Sequence, residues 1–252
     1  QFAVHYAGLW AAAAPGAGFS ETADFLKVFQ NEAVKPAWYE QKLWHWYDCT
    51  DYARNLFHCP TVAYSGEIDR QKQAADIMAR AMAAEGLDLV HLIGPQTAHR
   101  YHPAAKEAIN RRIDAIVARG RDPAPRKVRF TTWTLRYNQM LWVALEGLEQ
   151  HWERAEVEAE IVNDHSVQVK TKNVSALSLA MPSGQCPLDP TKEPDLQIDG
   201  TALRAPKPQS DRSWEAHFAK VGNAWQRIET VDDGAVRKRP GLQGPIDDAF
   251  MD

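Results

Sequence analysis

Asp69 and His99 are the pair in this 252-residue chain best placed for acid–base chemistry. An imidazole changes charge near neutral pH, so it can take and return a proton. A neighbouring carboxylate can orient that ring and stabilise its protonated form. Both have rivals nearby: Glu67 for the acid, His91 and His102 for the base. His91 falls inside an apolar run and reads as a packed strand residue. His102 directly precedes Pro103, a residue suited to the first position of a helix. His99 lies between them in a loop, where a base must lie to reach a hydroxyl. Ser20 is the nucleophile candidate nearest the start of the chain, because it follows an apolar run and precedes a helix. Its setting, Gly18-Phe19-Ser20-Glu21, lacks the second glycine of a nucleophile elbow. Ser20 or Thr22 reads more simply as the cap of a helix over 23–30.

Two strands and a helix must position Asp69 and His99. Residues 61–65 form a short apolar run ending in Gly66, which predicts a strand. Over 70–85, Ala74, Ile77, Met78, Ala81 and Met82 recur at helical spacing, and Gly86 supplies the stop. Residues 87–93 form a second apolar strand. Strand, helix, strand in one sheet implies parallel strands joined by a crossover. Asp69 follows the first strand and His99 the second, and in open α/β sheets sites form at the carboxyl ends of strands. Residues 103–119 then read as a closing helix, with Ala105, Ile109, Ile113, Ile116 and Val117 on its buried side.

These loops resemble a known family. Gly66-Glu67-Ile68-Asp69 is similar to the acid loop of the α/β-hydrolases, and Gly94-Pro95-Gln96-Thr97-Ala98-His99 to their histidine loop. The spacing resembles the prolyl oligopeptidase-like serine peptidases over roughly residues 1–120. The resemblance implies catalytic roles for Asp69 and His99, with a serine earlier in the order Ser, Asp, His. It implies peptide or ester substrates, attacked through an acyl-enzyme, and neither a metal nor an organic cofactor. A carboxylesterase acting on decorated polysaccharide, or a non-catalytic binding protein on a degenerate hydrolase domain, are the alternatives. No G-x-S-x-G occurs in the 252 residues. The expectation is therefore a fragment whose serine lies upstream, inactive by itself and exposing an apolar sheet edge, an aggregation hazard.

The same resemblance makes residues 10–14 a central parallel strand. The loop after it, with Gly18, Phe19 and Ser20, becomes a candidate substrate loop. Residues 37–47 hold Trp38, Tyr39, Trp44, Trp46 and Tyr47, which read as helix core, with a pocket wall as the sharper alternative. His45, Cys49, His58 and Cys59 are too loosely spaced for a zinc site. A Cys49–Cys59 bridge is an open alternative, although three cysteines are too few for a disulfide framework.

Residues 121–127, rich in proline and charge, read as a linker between a domain over 1–120 and a β domain over 128–229. Beyond it the periodicity changes to two. Ala155, Val157, Ala159 and Ile161 alternate with Glu156, Glu158 and Glu160, and 166–172 alternates again across a turn at Asn163-Asp164. Asp199-Gly200 signals a second hairpin. Further strands are expected over 128–135, 140–145, 174–181, 214–218 and 224–228. The fold class is thus α/β plus all-β: a partial hydrolase-like parallel sheet with flanking helices, then an antiparallel sandwich-like domain. Trp133, Trp142, Trp152, Trp214 and Trp225 read as core rather than as sugar-stacking platforms. Asn173-Val174-Ser175 matches a glycosylation acceptor, and residues 230–252 read as a tail or linker.

Bulk properties exclude little else. Hydrophobic content of 44% and charged content of 25% are those of a globular protein. A net charge of −4 argues against a nucleic-acid partner, and no apolar run is long enough for a membrane span. The compartment is left open, with secreted or periplasmic locations compatible.

Overall fold

The computed structural model describes residues 1–231 and divides the chain into two units, Gln1–Arg121 and Asp122–Asp252. The tail expected over 230–252 lies almost wholly outside the described residues.

The first unit mixes helices with a small parallel sheet. It opens with the short helix α1 (Phe2–His5) and a 3-10 turn, Ala7–Leu9. Helix α2 (Thr22–Phe25) runs on as a wider π-type turn, Leu26–Gln30. Its cap is Glu21, whose carboxylate accepts the amides of Ala23 and Asp24, so neither Ser20 nor Thr22 plays that part. Helix α3 (Trp38–Trp44) and a long 3-10 segment, Cys49–His58, lead into strand β1 (Val62–Gly66). Helix α4 (Lys72–Ala84) and strand β2 (Val90–Gly94) follow, and helix α5 (Pro103–Arg119) closes the unit. β1 and β2 pair in parallel, Val62 with Val90 through Gly66 with Gly94.

The strand expected over 10–14 is displaced and broken. The chain instead runs parallel to β1 through two isolated bridges, Ala13 with Thr61 and Gly16 with Tyr64. Ala13 and Ala17 donate to Pro60 and Tyr64, while Ala13 and Pro15 accept from Val62 and Tyr64. The ladder step between them needs an N–H from residue 15. Pro15 has none, so the pairing cannot be continuous.

Burial on this unit follows the helical period. The core under α5 is Val62, Tyr64 and Ile109, with Leu92, Ala105, Ile113 and Ile116 against it. Val117, expected on that face, is exposed. Val90 and Ile93 of β2 are 39% and 44% exposed, and Trp10 beside the broken strand is 45% exposed. Both margins of the small sheet therefore present apolar surface. The aromatic segment is only partly core: Trp46 is buried, but Trp38, Tyr39 and Tyr47 are exposed.

The second unit consists of two five-stranded sheets. One has the order β10-β9-β7-β6-β3, built from β3 (Lys127–Thr132), β6 (Ala155–Asn163), β7 (Ser166–Lys172), β9 (Asp195–Ile198) and β10 (Thr201–Arg204). The other has the order β12-β11-β8-β5-β4, from β4 (Gln139–Met140), β5 (Val143–Leu148), β8 (Val174–Met181), β11 (Trp214–Val221) and β12 (Ala224–Ile228). All neighbours are antiparallel except β7 and β9, which run parallel, so the first sheet is mixed. The run expected as one strand over 140–145 is a hairpin. Met140 pairs with Val143 around Leu141 and Trp142, and Leu141 takes a φ of 54°.

Alternation positions the core as the period predicts. Ala155, Val157, Ala159 and Ile161 are buried. The Glu face between them meets cations on both neighbouring strands, where Lys127 bridges Glu158 and Glu160 and Lys172 reaches Glu156, and Arg154, just before β6, also reaches Glu156. Trp142, Trp214 and Trp225 are buried, each donating its indole N–H, to Pro125, Pro206 and Asp199 respectively. Trp133 and Trp152 are half-buried. The Asn173 side-chain amide donates to the carbonyls of Gln150 and Glu153, so a glycan, which replaces one amide hydrogen, would have to break at least one of these bonds.

Candidate active site

Asp69 and His99 meet. β1 ends at Gly66 and the chain turns at once, with Asp69 N–H on the Gly66 carbonyl. The Asp69 side chain is only 5% exposed and its two oxygens have separate tasks. Oδ1 accepts the Gln71 amide at 2.9 Å, just before α4. Oδ2 lies 3.0 Å from Nδ1 of His99. The turn and the pairing use different lone pairs, so helix initiation and ring orientation coexist on one carboxylate. The imidazole is 68% exposed. Its Nε2 is the nitrogen that does not face Asp69.

Glu67, the rival acid, turns to another partner and accepts the Gln96 amide at 2.7 Å. That bond ties the acid loop to the start of the histidine loop. Two further backbone bonds join the loops: Glu67 N–H to Gly94, and Ile68 N–H to Thr97. Gly66 makes this approach feasible, because a Cβ there would run into the carbonyl oxygens of Thr97 and Ala98.

The rival histidines are structural. His102 occupies the N-cap position of α5, directly before Pro103. His91, on β2, places Nε2 3.0 Å from the Ser65 hydroxyl and Nδ1 3.7 Å from Asp76. This is a second Ser-His-Asp sequence of contacts. Ser65 is fully buried, however, and no substrate can reach its oxygen. Burial holds the His91 ring below its ordinary pKa, against the pull of Asp76.

The candidate substrate loop is split in its roles. Gly18 is exposed, and the Phe19 ring packs edge-on against Phe25 at 5.4 Å. Ser20 is 4% exposed and its carbonyl accepts the Cys49 amide. A buried hydroxyl of this kind is poorly placed to attack a substrate. Phe25 stacks on Phe29, and the Arg70 guanidinium lies over Phe29 at 5.5 Å and donates to the Val28 carbonyl. This aromatic run starts in the candidate loop at Phe19 and reaches Arg70, the residue after Asp69. Phe25 and Phe29 are four apart, as on a helix, but nothing in the spacing of Phe19 ties it to them in sequence.

A second acid–base cluster escaped the sequence reading. A cavity of about 800 Å³ is lined by Asp24, Lys27, Trp44, His45, Asp48 and Asp51, among others. His45 Nδ1 lies 2.6 Å from Asp51. Asp48 is buried and accepts both the amide and the hydroxyl of Thr22. Burial raises its pKa to about 7, with the Thr22 hydrogen bonds opposing and the Asp51 charge reinforcing the shift. Cys49 and Cys59 are free and buried, which removes the bridge as an alternative, and burial pushes Cys59 up to about 11. Among the described residues, no group of three or more His, Cys, Asp or Glu side chains gathers to hold a metal ion. No described helix is long and apolar enough to cross a membrane.

Comparison with family models, with curated proteins and with solved structures gives no match to this chain.

Proposed function

We propose that Asp69 and His99 are the acid and base of a serine hydrolase resembling the prolyl oligopeptidase-like peptidases. The observation that carries this reading is the 3.0 Å contact between Asp69 Oδ2 and His99 Nδ1, at the ends of two adjacent parallel strands. In this role Asp69 holds the proton on Nδ1, which leaves the Nε2 lone pair to accept a proton from a serine hydroxyl. The serine then attacks the carbonyl carbon. The C–N or C–O bond breaks as Nε2 returns the proton to the leaving group, and water resolves the acyl-enzyme by the same route. On this reading the serine lies upstream, since the two serines of the first unit, Ser20 and Ser65, are both buried and no G-x-S-x-G occurs in the 252 residues. The hydrolase fold itself is part of the proposal. The order of residues 13–17, β1 and β2, all parallel, supports it.

Peptide and ester bonds yield to the same machinery. The peptidase reading is preferred on the loop resemblance, with an esterase on decorated polysaccharide as the alternative. The test is to assay the polypeptide, extended by its upstream coding sequence, on peptidyl p-nitroanilides and on p-nitrophenyl esters. Anilide cleavage lost in His99→Ala supports the peptidase, and ester cleavage alone supports the esterase. An upstream sequence without a serine elbow sinks both, and leaves a binding protein on a degenerate scaffold.

A further inference from the structure

The His99 ring is mostly exposed, so its position depends on the loop that carries it. One buried side chain fastens the far end of that loop. The Tyr64 hydroxyl, from the middle of β1, donates to the Arg100 carbonyl at 2.8 Å and accepts the His102 amide at 2.8 Å. These two backbone groups bracket Tyr101, whose ring stacks on that of Tyr64 with centroids 4.6 Å apart. Two glycines make room for the assembly. A Cβ at Gly16 would strike the Tyr101 hydroxyl, and one at Gly94 would strike the Tyr64 hydroxyl. The near end of the loop is fixed separately, by Ile68 N–H on the Thr97 carbonyl.

From this geometry we infer that Tyr64 is a positioning residue for His99, acting through the backbone at Arg100 and His102 to hold the imidazole against Asp69. The inference rests on the reading of Asp69 and His99 as an acid–base pair. Tyr64 touches neither substrate nor His99 in this role. Its hydroxyl replaces two peptide partners that a loop of this shape cannot supply itself. Without that hydroxyl, Arg100 C=O and His102 N–H have to find water, and the chain on either side of Tyr101 is released.

The test is the ring tautomer of His99 in the full 252-residue chain. It is read by long-range proton–nitrogen correlation at about pH 8.5, above the ordinary imidazole pKa. Pairing with Asp69 keeps the proton on Nδ1, the opposite of the tautomer that prevails in a free side chain. The expected result is a single Nδ1–H form in the wild type, and its loss to the mixed pattern of a free side chain in Tyr64→Phe. That variant keeps the ring stack and removes only the oxygen. A locked Nδ1–H form in both proteins overturns the role of Tyr64 and leaves the pair standing. A mixed pattern in the wild type overturns the pair itself. If Tyr64→Phe does not fold, wild-type hydrogen exchange decides: a His102 amide that exchanges as slowly as the β1 amides supports the clamp, and one that exchanges freely overturns it.

Discussion

The carbonyl oxygen of Thr97 occupies the place that a Cβ on Gly66 would need. Gly66 does not owe its identity to an unusual backbone angle. It is a matter of space, and the neighbouring atoms are main chain, which cannot rotate aside. Gly66→Ala should therefore push the histidine loop away from the acid loop and cost about 1–3 kcal/mol, in the range of overpacked sites. Gly86 gives the comparison, since its φ of 71° is left-handed but nothing lies within 4 Å of its missing Cβ. Gly86→Ala should cost only about 1 kcal/mol, from backbone strain. Urea unfolding of the two variants distinguishes crowding from strain, and only the first should disturb the His99 ring.

Asp48 makes the stability of the first unit depend on pH. Its carboxyl holds a proton up to about 7 in the folded chain, well above the ordinary aspartate value of about 3.9. Between those values the folded state binds more protons than the unfolded one, so this group's contribution falls as pH rises and is fully lost above about 7. Asp48→Asn keeps an oxygen for the two Thr22 donors and removes the titration. The variant should be more stable than the wild type at pH 8, and the gap should close as pH falls toward 4. His5, held down to about 3 chiefly by burial, titrates in the opposite sense over part of this range. The difference between wild type and variant in urea midpoint is therefore the quantity to follow. A gap that is constant with pH contradicts the assignment.

In the second unit, Asp199, in the turn between β9 and β10, joins β7 and β12 with one side chain. Its carboxylate accepts the amide and hydroxyl of Thr171 at 2.7 and 2.6 Å and the indole of the buried Trp225 at 2.9 Å. Asp199 also adopts a φ of 48°, followed by Gly200 at 85°. Asp199→Ala strands a buried donor and places alanine in the left-handed region, which should cost about 2–4 kcal/mol. Asp199→Asn retains tolerance of that backbone and one acceptor oxygen, and should cost less. A loss for Asp199→Ala in thermal unfolding no larger than the roughly 1–2 kcal/mol of left-handed backbone strain would mean that the hydrogen bonds contribute nothing measurable.

The glutamate face of β6 should behave quite differently. Lys127 reaches Glu158 at 2.7 Å, but both side chains are a third or more exposed. Glu158→Ala should change stability by less than about 1 kcal/mol, with the difference shrinking at high salt. A large salt-independent loss would show that this face is covered in solution.

Much of this could be read from the sequence because period and punctuation agree. The α4 and α5 spans, β8 and β12, and the Asp199-Gly200 hairpin all carry apolar spacing bounded by Gly, Pro or Asn. The Asp69–His99 contact is approachable because each residue lies in the loop that follows one of two adjacent strands. Local signals could not show what depends on one atom. Pro15 breaks a ladder that its apolar neighbours otherwise suggest. Leu141 turns a chain with no Asn-Gly or Asp-Gly signal. Glu21 caps α2 in place of its hydroxyl-bearing neighbours, because its carboxylate reaches two amides at once. Tyr64 is invisible as a loop anchor, since its strand position looks like ordinary core until the partner backbone is seen. The exposure of Trp38, Tyr39 and Tyr47 was equally hidden, as aromatic content predicts burial only on average.

The central claim is that His99, oriented by Asp69, activates a serine. The most direct measurement is the rate at which a fluorophosphonate labels the polypeptide when the 252 residues are expressed with their upstream coding sequence. The account predicts labelling at one serine outside the 252 residues, slowed by about 10³–10⁴-fold in both His99→Ala and Asp69→Asn, with Ser20 and Ser65 unlabelled. Labelling that proceeds equally in all three proteins, or that falls on Ser20, would contradict it.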